Sequence, residues 1–416
     1  VYVHDARTLK PLGSRPVFDD GFNLGTPVIL PGSSRVVVPH QINRTFPVHA
    51  TNIEKGWVID NRLTRLPLPG GEYWEQRQIG LDVRGKAAGD ANGVAFSPDG
   101  RWIAVSCGGS HELLIVDRKQ MKWPAADPGD FIPSELAGKA GALRRVDLGG
   151  RPVAVQFLDK RRALVANYLS NSLQIVDVAT GKLTSTIPLG GPKTPDLVRR
   201  GEAIFYDADR SLDSWFSCHT CHTGGHTSGQ TFDTLNDGNY DTYKLVPTLR
   251  GVTKTGPWTW HGWQKSLPAS LKKSLHATLS TRRKVTDDDI RSLLAYLGTL
   301  EHPQSPHRTK SGRLTSSAQR GKLLFAGKAG CARCHGGKQF TAAEVFEVGL
   351  ESPRYAHPSF NPPTLRSVHS RRRFLHDGRA VSLKEVLTRH HAAEKTGGDK
   401  LTAKERDDLI AYLKSL

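Results

Sequence analysis

Cys218-His219-Thr220-Cys221-His222 and Cys331-Ala332-Arg333-Cys334-His335 are two copies of one pattern, Cys-x-x-Cys-His. On one helical turn, positions i, i+3 and i+4 share a face. Two thiols on that face can form thioether bonds to the two vinyl groups of one porphyrin, while the histidine reaches the iron. The pattern is therefore the attachment signature of c-type haem, and each copy nominates its own proximal ligand, His222 and His335. The competing readings are a thioredoxin-like redox pair, half of a zinc site, or coincidence. Four of the five cysteines fall in the two patterns, and no further Cys-x-x-Cys pair completes a four-sulfur zinc cage. The sequence thus predicts two covalently bound haems c. The fifth cysteine, Cys107, ends the apolar run Trp102-Ile-Ala-Val-Ser-Cys107 and reads as a small buried hydrophobe.

At 416 residues the chain predicts two or three domains. Charged residues at 24% and hydrophobic ones at 37% are a globular composition, and no run approaches the roughly 18 apolar residues of a membrane span. A formal net charge of +18 points to an acidic partner surface. Nucleic acid is the other reading of such a charge, but covalent haem argues for a compartment without it. Haem c is attached outside the bacterial cytoplasm, so the expected location is periplasmic or otherwise extracytoplasmic. The chain opens on Val1-Tyr-Val3, which reads as a strand, with no export signal before it. Sequence upstream of Val1 is therefore expected.

Residues 1–193 read as all-β. Gly93-Val-Ala-Phe-Ser-Pro-Asp-Gly100 turns into Arg101-Trp-Ile-Ala-Val-Ser106, and His111-Glu-Leu-Leu-Ile-Val-Asp117 follows. A second unit runs through Arg151–Phe157, Arg162–Asn167 and Ser172–Asp177, and then Thr180-Gly-Lys leads into Leu183-Thr-Ser-Thr-Ile187. Short strands separated by turns and repeating at blade length predict a β-propeller. The stretch resembles the YVTN family of propellers, in which Asp177-Val-Ala-Thr-Gly-Lys182 would be a blade ending. At about 40 to 45 residues per blade, the segment predicts about four blades, a partial or complete ring acting as a docking scaffold.

From Asp196 onward helical patterns take over, and the sequence repeats itself. Arg200-Gly-Glu-Ala-Ile-Phe205 matches Arg320-Gly-Lys-Leu-Leu-Phe325. Pro247-Thr-Leu-Arg-Gly-Val252 matches Pro363-Thr-Leu-Arg-Ser-Val368, and the helix ending Ala-Tyr-Leu297 matches the one ending Ala-Tyr-Leu413. Three landmarks in one order mark an internal duplication. The expected architecture is multidomain, all-β plus all-α. It comprises a propeller over 1–193 and two tandem cytochrome c domains over 194–305 and 306–416, joined by the proline-rich linker His302–Gly312.

With Phe374-Leu-His-Asp-Gly-Arg379 and Ser382-Leu-Lys-Glu-Val-Leu387, these repeats resemble the di-haem cytochrome c peroxidase family, MauG-type enzymes included. The resemblance implies a distal ligand at His390, with neighbouring His391 one register away. It also implies His376 beside a haem edge and Trp260 as an electron relay between haems, with His261 replacing the family's aspartate. A calcium ion between the haem domains is implied too. Arg250 and Arg366 are suited to pair with haem propionates, because a guanidinium binds a carboxylate in bidentate fashion. For the first iron, His276 ranks first as distal ligand, His261 second and an open site third; His226 lies too close to His222. The single methionine, Met121, lies outside both cytochrome segments, so methionine ligation is not expected.

Cleaving peroxide needs a general acid–base beside an open iron. The family uses a glutamate there, yet no glutamate occurs between Glu202 and Glu301. Asp287-Asp-Asp289 reads instead as a helix N-terminal turn, where negative charge is favoured. The sequence therefore favours an electron-transfer cytochrome that meets a redox partner protein. The alternative is a peroxidase or MauG-type oxidoreductase taking hydrogen peroxide as its small-molecule substrate.

Overall fold

The computed structural model describes residues 1–17, 21–125 and 128–416. It divides into two compact units, one of Val1–Thr220 with Leu275–Lys284, the other of Cys221–Ser274 with Val285–Leu416.

In the first unit a hairpin pairs Tyr2–His4 with Pro11–Ser14. Three larger antiparallel sheets follow in chain order. The first orders Gly21–Phe22, Arg35–Asn43, Ile59–Pro67 and Arg77–Gly80, with Val28–Ile29 also on Arg35–Asn43. The second runs Ala91–Phe96, Trp102–Cys107, Glu112–Asp117, Leu143–Asp147, and the third Pro152–Phe157, Arg162–Asn167, Ser172–Asp177, Lys182–Pro188. Where about four blades were expected, the described residues give three sheets of four or five strands and one hairpin.

The residue patterns explain the sheets. Trp102–Cys107 and Glu112–Asp117 are buried along their whole length, as strands covered on both faces must be. Ser172–Asp177 alternates buried and half-buried residues, the mark of a sheet covered on one face. Cys107 and Met121 both belong to the apolar core of this unit, and burial pushes the Cys107 thiol above its ordinary range. The turn before Lys182 has a local cause. Asp177 Oδ1 accepts from Thr180 N at 2.9 Å and Thr180 Oγ1 at 3.1 Å, and Gly181 takes φ +72°. Asp5-Ala-Arg-Thr-Leu-Lys10 makes the same turn, with Asp5 Oδ1 accepting from Thr8 N at 2.7 Å and Leu9 at φ +57°.

The unit boundaries do not coincide with the expected 193/194 and 305/306. Helix Leu197–Phe205 and the segment after it are bonded to the turns that follow strands Arg162–Asn167 and Trp102–Cys107. Arg199 Nη1 pairs with Glu202 at 2.7 Å, Glu202 accepts from the Tyr168 hydroxyl at 3.0 Å, and Ala208 N donates to Gly109 O at 2.9 Å. The second unit is built on helices Leu267–Lys273, Asp287–Gly298, Ser316–Ala326 and Ala403–Lys414. Each starts at a Ser or Thr that caps a free backbone N–H, namely Ser266, Thr286, Thr315 and Thr402. Helices Ser316–Ala326 and Ala403–Lys414 cross at backbone contact. A Cβ on Gly321 would stand 2.0 Å from Asp408 O and 2.8 Å from Tyr412 Cβ, so the arginine–glycine landmark of the repeat is a packing requirement.

Candidate functional site

The first motif lies on the helical turn Cys218–Cys221. Its middle residue is anchored to the β-rich part of the first unit. Thr220 Oγ1 donates to Asp90 Oδ1 at 2.6 Å, Ser217 Oγ donates to Asp90 Oδ2 at 2.7 Å, and Asn23 Nδ2 donates to Thr220 O at 2.8 Å. Ser217 and Thr220 are fully buried. A buried hydroxyl without a partner is costly, so Asp90 is what permits this turn to be buried. Gln41 Nε2 also donates to Asp90 Oδ1, at 3.0 Å. This β-rich part therefore orients the attachment turn.

His222 Nδ1 donates to Pro247 O at 2.9 Å. His335 Nδ1 donates to Phe340 O at 3.2 Å, and the carbonyl of Pro363 also bonds its ring. Pro247 and Pro363 are the matched prolines of the two Pro-Thr-Leu-Arg segments. Burial pushes both histidines down to about 4, so each ring is neutral at pH 7. A neutral imidazole that donates from Nδ1 carries its lone pair on Nε2, the state a metal ligand needs. Gly330, at φ +66°, opens the second motif's turn, and His335 N donates to Cys331 O at 2.9 Å. No described cysteine is in a disulfide.

A basic pocket joins the two copies within the second unit. Burial pushes Arg371 down to about 10 and lowers Arg250, and no acid offsets either shift. Arg371 Nη2 donates to Thr364 O at 2.7 Å, while its buried Nε has no partner. His302 is held at about 4 and His226 at about 3, each by burial first and then by the neighbouring arginines. Half-buried guanidinium groups with no acid beside them suit an anionic ligand. The proximal tautomers and this acid-free pocket are what a haem with two propionates requires, and the residues fit haem c. Arg366, expected at a propionate, donates from Nε and Nη2 to Lys338 O at 2.9 and 2.6 Å. Arg371 was not singled out in the sequence, where it is one of three consecutive arginines.

Several distal candidates are engaged elsewhere. The His390 ring lies 3.7 Å from Glu385 Oε1. His391 has a buried, unpartnered Nδ1 and is close enough to His335 to depress its ionisation. His276 is exposed on the turn Ser274–Thr278. Aligning the capping serines Ser266 and Ser382 places the buried Leu275 opposite His391, and His276 opposite Ala392. His226 is bonded at both ring nitrogens, to Thr248 Oγ1 at 2.8 Å and Ser370 Oγ at 3.0 Å. His261 Nδ1 donates to Ser359 O at 3.0 Å.

Trp260 bridges the copies: its Nε1 donates to Leu245 O at 2.7 Å and its carbonyl accepts from Asn361 N at 2.8 Å. The Trp260 ring lies 6.4 Å from that of His376, which is buried and bonded through Nε2 to the Tyr355 hydroxyl at 2.7 Å. Tyr355 carries no spacing signal in the sequence. Of the carboxylates near a possible acid–base role, Asp289 caps its helix through Thr286. Asp233 accepts from Leu235 N at 3.0 Å, and Asp237 from Asn239 N at 3.2 Å. Among the described residues no group of three or more His, Cys, Asp or Glu side chains is arranged to hold a metal ion. No helix among them is long and apolar enough to cross a membrane.

The cytochrome c family matches residues 198–301 and 318–416. The chain is similar to methylamine utilization protein MauG of Methylorubrum extorquens, 25% identical over 288 residues, which is 55% of this chain and 80% of that protein. It is similar to hydrazine synthase subunit gamma of Kuenenia stuttgartiensis, 26% identical over 283 residues, 54% of this chain and 79% of the other. Cytochrome-c peroxidase IdrP1 of Pseudomonas sp. (strain SCT) is 26% identical over 316 residues, 55% of this chain and 83% of its own.

Proposed function

We propose that this chain, whose C-terminal half belongs to the di-haem cytochrome c peroxidase and MauG family, is an extracytoplasmic electron-transfer cytochrome with two covalent haems c. Bound haem supplies a one-electron iron couple. The protein's part is to hold each proximal imidazole neutral and oriented, through Pro247 for His222 and through Phe340 and Pro363 for His335. Arg371 and Arg250 receive propionate charge, and Trp260 lies between the copies as the relay. His391, rather than His390, caps the second iron, because its Nδ1 is buried without a partner and its ring influences His335, whereas His390 lies against Glu385. The basic surface meets an acidic redox partner, and the three sheets are blades of a propeller segment. The observation that carries electron transfer over catalysis is the fate of the acids. Asp289 is committed to a helix cap, and Asp233 and Asp237 accept from loop backbone N–H groups, so these three carboxylates hold backbone rather than stand poised as a general acid–base.

A second reading is favoured by one observation. Where the second copy has His391, the first has Leu275, and an apolar residue leaves an iron open to a small ligand such as hydrogen peroxide. Absorption and EPR spectra of the oxidised protein, with a peroxide turnover assay, decide between them. Two low-spin irons and negligible turnover support electron transfer, whereas a high-spin iron with turnover establishes the enzyme.

A further inference from the structure

The hydrogen bond between Tyr355 and His376 has the makings of a redox couple of its own. The phenol oxygen and His376 Nε2 are 2.7 Å apart, with the rings crossed at 89°. His376 is 1% exposed, and its Nδ1 is buried without a partner. Phe360 covers the imidazole at 4.5 Å between ring centroids, and Trp260 stands edge-on at 6.4 Å. The Lys244 ammonium sits 3.8 Å from the centre of the phenol ring.

Removing an electron from a phenol makes a strong acid, so the oxidation is feasible in a protein only where a base accepts the proton at once. A cation on the ring face makes the protonated radical costlier still, which forces the electron and the proton to leave together. We propose that Tyr355 is a redox-active tyrosine whose oxidation is coupled to proton transfer to His376, with Trp260 as its electronic neighbour. One electron passes from Tyr355 to a one-electron oxidant whose potential lies above the phenol couple. The phenol O–H bond breaks, the Nε2–H bond forms, and the products are a neutral tyrosyl radical, a His376 imidazolium and the reduced oxidant. Burial holds His376 at about 4 beforehand, so the ring is a neutral acceptor at pH 7. Asp377 Oδ2, 3.9 Å from Nε2, offsets the imidazolium charge that follows. The inference holds for either direction of haem electron flow, because the oxidant need not be a haem.

The test uses the ferric, haem-loaded protein and photogenerated tris(bipyridine)ruthenium(III) as oxidant, with radicals read by EPR and transient absorption. Tyr355→Phe removes one hydroxyl and should abolish the fast component of the tyrosyl signal. His376→Gln keeps an acceptor for the hydrogen bond but no base. It should slow that component about a hundredfold, the low end of what a positioned proton acceptor contributes. In deuterated water the wild-type rate should fall, because a proton moves in the same step. An unchanged signal in Tyr355→Phe, an unchanged rate in His376→Gln, or the absence of a solvent isotope effect overturns the proposal. Should His376→Gln fail to fold, judged by its Soret band, the phenylalanine variant and the isotope effect still decide.

Discussion

At the residue scale, single buried groups set the attachment turn and the charge of the haem pocket. Asp90 satisfies Ser217 and Thr220 with its two carboxylate oxygens. Asp90→Ala removes the carboxylate acceptor of both hydroxyls, at about 1–3 kcal/mol each, and is expected to lower the thermal midpoint of the first unit. Because the turn carries Cys218 and Cys221, the same variant should broaden the EPR signal of the first haem and leave the second unchanged. Arg371 presents the opposite case, a half-buried cation with an enclosed Nε and no acid beside it. Arg371→Met removes positive charge that favours the reduced iron, so the potential of the haem it serves should fall, as spectroelectrochemical titration would read. Had Arg371 been exposed and screened, the potential would not move.

At the element scale, the crossing of helices Ser316–Ala326 and Ala403–Lys414 holds the second copy together. Gly321→Val drives a branched side chain into the Asp408 carbonyl. It should destabilise this pair by about 3 kcal/mol or more, at or beyond the upper end of overpacking costs, with a matching loss of helical circular dichroism on heating. The same crossing is acid-sensitive. Asp408 accepts from Arg320 Nε and Nη2, each at 2.7 Å, and from Ser317 Oγ at 2.5 Å. These bonds depress its carboxyl from an ordinary 3.8 to about 2. A folded value below the unfolded one means the contribution is complete above about pH 4 and is lost as pH falls through about 2. The thermal midpoint should therefore drop across that window, and Asp408→Asn should flatten the drop. Both helices were legible in the sequence from the repeated landmarks Arg320-Gly-Lys-Leu-Leu-Phe325 and Ala-Tyr-Leu413, but their crossing was not. The sequence displays Arg320-Gly321 as a repeated landmark, and only packing reveals that the glycine admits a carbonyl.

At the scale of the whole molecule, colour retained by the denatured chain on haem staining should vanish only when both pairs, Cys218/Cys221 and Cys331/Cys334, are replaced. A single-pair variant should keep half the stain. His391→Ala should convert the second haem to high spin, while His390→Ala should leave its spin state as it was. The sequence by itself determined the two attachment motifs with the histidine that ends each, and the antiparallel strands, because each is written in local spacing that a helical turn or a strand reads directly; the duplication is legible because the same landmarks recur in the same order. Tertiary structure alone decided that Asp90 holds Thr220, that Arg371 has an enclosed Nε and no acid beside it, that the His390 ring lies against Glu385, and that Tyr355 meets His376. The members of the Asp90–Thr220 and Tyr355–His376 pairs lie far apart along the chain. Among polar residues of ordinary type, what singles them out is loss of water on folding, and a linear pattern does not carry that.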